Sequence, residues 1–175
     1  MNKSLLYNLS GLSELEKKGD WNEIVILMQK YENEASNNVS LFLRISTEYW
    51  FILINDECNQ SLDNNYLKSK LISLFYRGTK IYSNNFHFLW VFGYMIFLFP
   101  DVFSEKSDDY FKWKDIGEKM IIKAHSLAPY DLVIDLIYNR IFNDLSPNEE
   151  CIVQINEYFS FDTLIDKYFK DVLIS

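Results

Sequence analysis

Three adjacent carboxylate pairs, Asp56–Glu57, Asp108–Asp109 and Glu149–Glu150, two histidines and two cysteines are the residues of this 175-residue chain best equipped for chemistry. A glycosidase or a metal-assisted hydrolase needs carboxylates that converge in a cleft. These pairs fall in or beside predicted loops and first helical turns, where acids cap free N–H groups and complement the helix dipole. His125, in KAHSLAP, falls in the last turn of a predicted helix, where a cation is favoured. His87 lies at the start of another, as a capping or groove residue. Cys58 and Cys151 form no CxxC and no His/Cys cluster, so buried free thiols of a reducing compartment are expected. HExxH, P-loop, GxGxxG and nucleophile-elbow patterns are absent from the sequence. The expectation is a chain with no catalytic residues, no metal and no cofactor, acting by binding and not as an enzyme.

Charge narrows the choice of partner. Seventeen basic and 25 acidic residues give a net charge of −8 and an isoelectric point near 4.8. Nucleic-acid binding needs a basic footprint, and the three arginines, Arg44, Arg77 and Arg140, and the scattered lysines make none. Neither nucleic acid nor an anionic membrane surface is expected as a partner. A basic protein is, because opposite fields speed encounter.

The apolar run FLWVFGYMIFLF covers residues 88–99. Twelve helical residues reach about 18 Å, short of the roughly 30 Å hydrocarbon layer, so a buried central helix is predicted. The opening residues, MNKSLLYNLSGLSELEKKGD, have no continuous apolar stretch of the kind a secretory leader carries. A cytoplasmic location is expected.

Hydropathy patterning indicates helices. Trp21, Ile24, Val25, Met28 and Tyr31 make one stripe; Leu67, Leu71, Leu74, Phe75 and Gly78 a second. Trp113, Ile116, Gly117, Met120, Ile121, Ala124 and Leu127 make a third, and Phe161, Leu164, Ile165, Tyr168, Phe169 and Val172 a fourth. All follow the 3.6-residue period of an amphipathic helix. Asp20 with Glu23 forms a capping-box-like pair, Ser146-Pro147 with Glu149 reads as another start, and Asp63, Asp108 and Ser160 are candidate caps. Between the stripes lie uniformly apolar helices over about 41–54, 86–99 and 132–142, predicted to be buried. A further helix is predicted near 5–17. The alternation repeats every 40–45 residues or so, two helices per unit, the mark of an α-solenoid. The expected fold is all-α: a short α-solenoid of antiparallel helix pairs, about seven to nine helices, in a single domain over 1–175.

GDWNEIVILMQKY at 19–31 resembles the second-helix opening of a tetratricopeptide repeat, NNFHFLWVFGYMIFLF at 84–99 a first helix, and KAHSLAP at 123–129 a repeat end. Gly93 stands where a small residue lets two helices approach. The likeness covers about a third of the chain, in units longer than that family's. It implies a grooved surface, with His87, Trp90, Tyr94, Phe97, Val133, Leu136 and Arg140 at groove positions; core packing is the other reading of the apolar ones in so short an array.

In size, acidity, aromatic richness, the GDW opening and the FLWVFGYMIFLFP segment followed by an acidic loop, the chain also resembles helical immunity proteins of bacterial contact-dependent growth inhibition systems. That likeness implies a cytoplasmic, bacterial inhibitor that covers the active site of a cognate toxin, a basic nuclease or RNase domain among the expected kinds. A helical-repeat adaptor holding a peptide or protein in its groove is the alternative. Candidate partner-binding residues are Glu48, Tyr49, Asp56, Glu57, His87, Trp90, Tyr94, Glu105, Asp108, Asp109 and Arg140: loop acids, the tyrosine beside Glu48 and the groove positions.

Overall fold

The computed structural model describes residues 4–104, 109–143 and 146–175. Among them every regular element is helical. The chain runs through α1 (Leu12–Lys18), α2 (Trp21–Tyr31), a 3₁₀ turn (Glu34–Asn37), α3 (Val39–Ile54), α4 (Asp56–Asn59), α5 (Asn64–Ile81) and α6 (Phe86–Leu98). It continues through α7 (Pro100–Phe103), α8 (Tyr110–Leu127), α9 (Leu132–Asn143), α10 (Glu149–Tyr158) and α11 (Leu164–Ile174). The predicted all-α fold is present. The single-turn helices α4 and α7 are additional to the predicted set: each is too short for a periodic stripe to reveal it.

Local chemistry sets the boundaries. The Asp20 carboxylate accepts from the Glu23 amide at 3.4 Å and Asp63 from Tyr66 at 3.0 Å, so both predicted caps form. Other starts differ from expectation. Asn148, not Ser146, caps α10 by accepting from the Cys151 amide at 2.8 Å. Thr163, not Ser160, caps α11, which leaves Phe161 outside that helix. Asp109 precedes α8 without a side-chain capping bond, and Asp108 lies outside the described residues. The N-terminal helix begins only at Leu12, after Gly11 at φ 85°, a left-handed conformation that glycine adopts at little cost. Leu5, Leu6 and Leu9 are nonetheless buried: the segment runs non-helically across the core, its Leu5 amide donating to Tyr158 O at 2.9 Å.

Successive helices pack on one another as α1 on α2, α2 on α3, α3 on α5, α6 on α8, α8 on α9, α9 on α10 and α10 on α11. The closest approach is between α6 and α8, where a Cβ on Gly117 would lie 2.8 Å from Gly93 O and 2.9 Å from Phe97 N. Gly93 thus has the role expected of it, and Gly117 matches it from the facing helix. Of the three helices predicted to be buried, α3 and α6 are the interior, with every residue from 41 to 52 and from 88 to 96 buried, whereas α9 buries one face only, through Val133, Ile134, Leu136 and Ile137.

Beyond this neighbour-on-neighbour packing the chain closes on itself. Phe169 of α11 stacks on Trp50 of α3, with ring centroids 6.0 Å apart, on Phe159 at 4.9 Å, and meets Trp90 of α6 edge-on at 6.3 Å. The C-terminal helix therefore covers both central helices, where an open solenoid would leave a concave face.

Candidate functional site

Closure decides which candidate residues remain available. Trp90 and Tyr94 of α6 are buried, as are Val133 and Leu136 of α9. Of the two readings of these positions, groove and core, they take the core one, because α8 and α11 pack over α6. Glu48 and Tyr49 are also buried, correcting their assignment as surface contacts. Each has a reason to be inside. Tyr49 donates its hydroxyl to Glu32 Oε1 at 2.8 Å. Glu48 accepts from Arg44 Nη1 at 3.2 Å, one helical turn away.

His87 and Arg140 are half-buried. Burial lowers the proton affinity of His87, partly opposed by Asp131, and its ring lies 5.5 Å from that of Tyr158. Arg140 donates to Val172 O at 2.8 Å, tying α9 to α11, and also interacts with Tyr94. Asp109 is half-buried; Asp56 and Glu57 are exposed on α4, beside Phe51, Ile54 and Tyr168 at a shallow surface depression. Glu105 and Asp108 lie outside the described residues. The structure therefore does not assemble the described candidates into one surface.

It assembles two other groups. The first is a sealed charge cluster. Arg44, with 0% exposure, donates from Nε to Tyr7 O at 2.9 Å, from Nη1 to Thr163 Oγ1 at 3.0 Å and from Nη2 to Asp166 Oδ2 at 2.5 Å. Asp166, also fully buried, accepts from the Thr163 hydroxyl and from the Phe161 amide. Glu16 of α1 joins from the other side, accepting from the Leu164 amide at 3.0 Å. Desolvation is the main influence on both glutamates. It pushes Glu16 up to about 7 against the pull of the Leu164 amide and Arg44, and Glu48 up to about 8 against the pull of Arg44. Ser13 Oγ donates to Asp162 O at 2.6 Å and Lys17 pairs with Asp162 at 3.0 Å nearby, so α1 and the start of α11 are tied together beside the cluster.

The second group is an acidic segment. Residues 124–166 contain eight carboxylates and one Lys or Arg side chain, Arg140, whereas the rest of the chain is nearly balanced, with sixteen basic against seventeen acidic residues. Almost the whole net charge thus belongs to this segment of the sequence, one of whose acids, Asp144, lies outside the described residues. Asp166 is buried and Asp162 pairs with Lys17 and Lys167. Asp131 caps α9 through the Val133 and Ile134 amides, both at 3.1 Å, and receives bonds from Gln154 Nε2 and the Tyr158 hydroxyl of α10. That arrangement fixes α9 against α10. Asp135 meets His125 Nε2 at 3.1 Å, and the His125 ring stacks on Tyr138 at 4.2 Å.

Glu149 and Glu150 project from the first turn of α10 and are exposed. Leu127, Tyr130, Phe142 and Val153 are open to solvent in this segment, the most exposed being Tyr130, at 95% in the α8–α9 turn, and Val153, at 60% on α10. A shallow depression bounded by Glu150, Val153, Gln154, Glu157 and Tyr158 runs along the same helix. Sequence reading paired Glu149 with Glu150 but missed the clustering; counting charge by segment would have found it.

The cysteines do not form a reactive site. Both are buried, and burial, the first cause for each, raises their thiols to about 11. They stay protonated and poorly nucleophilic near neutrality. No helix among the described residues is long and apolar enough to cross a membrane.

Fold and site together define a class: an all-α protein of stacked helices, closed by its C-terminal helix and carrying its excess negative charge in the segment 124–166. No protein-family model, curated protein or solved structure matches the chain.

Proposed function

We propose that this protein is an immunity protein that binds and neutralises a cognate toxin domain in the bacterial cytoplasm, by covering a basic surface on it. The observation that supports this reading is the concentration of charge at 124–166, with Tyr130 and Val153 exposed among the acids. An interface of this kind uses charge to steer and select its partner and a few desolvated apolar anchors to hold it. A nuclease or RNase domain is the favoured partner, because a surface that binds a phosphate backbone must be basic and is blocked by an acidic protein lying across it. Inhibition would be steric and electrostatic, with no chemical step on the inhibitor's side.

Support for the adaptor alternative is weaker. It requires an open groove, and the groove residues Trp90, Tyr94, Val133 and Leu136 are buried.

Co-expression with the toxin domain encoded beside this gene tests the proposal. Growth should be rescued and the two chains should co-purify. Glu149→Lys combined with Glu150→Lys should weaken the complex tenfold or more, while the same reversals at Asp56 and Glu57 should have a smaller effect. Failure of the wild-type chain either to rescue growth or to bind the toxin would defeat the proposal.

A further inference from the structure

The Arg44 cluster joins both ends of the chain to its central helix. Arg44 of α3 holds the N-terminal segment through Tyr7 O and α11 through Asp166 and Thr163, and Glu16 of α1 accepts from the first amide of α11. The groups that face one another are Glu16 from α1, Arg44 and Glu48 from α3, Cys58 from α4, and Asp166 with the more distant Lys167 from α11. Lys167 is engaged at the surface with Asp162 at 2.6 Å.

One guanidinium therefore serves three carboxyl groups in a site closed to water. Were all three ionised, the site would hold two uncompensated negative charges, and buried charge is strongly disfavoured unless it is paired. The hydrogen bonding singles out where protons belong. Asp166 uses both oxygens, whereas Glu48 Oε2 and Glu16 Oε1 are buried without a hydrogen-bond partner among the described residues. An ionised Glu48 would also compete with Asp166 and Thr163 for the same guanidinium.

We propose that Glu48 and Glu16 hold protons in the closed fold, and that losing them as pH rises releases α11 and the N-terminal segment from α3, making the cluster a proton-dependent clasp. The direction follows from linkage. Burial raises both carboxyls above the ordinary value of 4.5, to about 7 and about 8, while in the opened state they titrate near 4.5. Between these limits the closed state binds more protons than the open one. Closure is at full strength below about 4.5 and weakens as pH climbs through 7 and 8; above 8 there is no further loss. The clasp is independent of the toxin-binding proposal, whose named contacts, Tyr130, Glu149, Glu150 and Val153, lie outside it.

Hydrogen exchange on the full chain from pH 6 to 9, corrected for the intrinsic pH dependence of amide exchange, tests it. Each proton released on opening changes the opening equilibrium about tenfold per pH unit. Opening of α11 and of residues 4–9 should rise up to a hundredfold from pH 6 to 7 and about tenfold from 7 to 8, then level off. Exchange in α5, away from the cluster, should not follow. Glu48→Gln keeps the shape of the protonated side chain and should abolish the rise between pH 7 and 8; Glu16→Gln should reduce the rise below 7. If a variant does not fold, infrared spectra of the wild-type protein give a second reading: a protonated-carboxyl band at pH 6 that fades by pH 9. The proposal is overturned by pH-independent opening of α11, by equal slopes in wild type and Glu48→Gln, by an identical slope in α5, or by absence of that band at pH 6.

Discussion

Replacing Gly117 by alanine sets two opposing effects against each other, and the structure decides which wins. Gly117 lies mid-way along α8, where alanine is intrinsically favoured over glycine by about 1 kcal/mol. Its missing Cβ, however, faces the backbone of α6 across a close contact in the core. The added carbon would stand 2.8 Å from Gly93 O, 2.9 Å from Phe97 N and 3.2 Å from Ile96 Cγ2. The first two are backbone atoms, so no rotamer change relieves them. The helices must separate by roughly half an ångström, which loosens contacts along the whole α6–α8 seam, and small gaps forfeit much of the dispersion energy.

Overpacking of this kind costs about 1–3 kcal/mol, with backbone collisions at the upper end. Against the propensity gain, a net loss of about 2 kcal/mol is expected. For a chain of this length that corresponds to a Tm lower by about 4–8 °C. Circular-dichroism melts of wild type and Gly117→Ala measure it, with the exposed Ser73→Ala in α5 as a control for helix propensity. An unchanged or raised Tm for Gly117→Ala would mean that α6 and α8 do not meet backbone to backbone, and the packing described above would be wrong.

Other outcomes follow from the same geometry. Arg44→Met should cost about 3–5 kcal/mol in urea unfolding at pH 7, because Asp166 is left buried without its cation; a loss under 1 kcal/mol would show that the cluster is not sealed. For wild type, stability should fall from pH 5 to pH 8 by about 1.4 kcal/mol per pH unit for each buried glutamate still protonated, as burial raises Glu16 and Glu48; a stability that climbs over that range contradicts it. Cys58 and Cys151 should both resist a thiol reagent at pH 8 in the native protein and react at once in urea, as both are buried with raised thiols. Raising salt from 50 to 500 mM should slow association with a basic toxin by more than tenfold if the acidic segment steers it. A salt-independent rate would place the interface elsewhere.

What could be read from the sequence alone were the features set by short-range periodicity and steric size. The stripes at 21–31, 67–78 and 113–127 are helices because apolar side chains every three or four residues can be buried together only on a helix. The uniformly apolar runs at 41–54 and 86–99 lie inside because no polar face remains to meet water. Gly93 could be recognised as a contact point because only a residue without a side chain lets two backbones meet. What needed the tertiary structure were partnerships across long stretches of chain. Glu48 is sequestered because Arg44 stands one turn away and Asp166, 122 residues from Arg44, completes the arrangement. Trp90 and Tyr94 are core because α8 and α11 close over α6. The acidic segment was present in the sequence as a charge count, but only the pairing of Asp131 with Gln154 and Tyr158 places α9 and α10 side by side. Local pattern fixes which residues must hide from water. Which residues they hide against is settled by how the chain's ends return to its middle, and no local pattern encodes that.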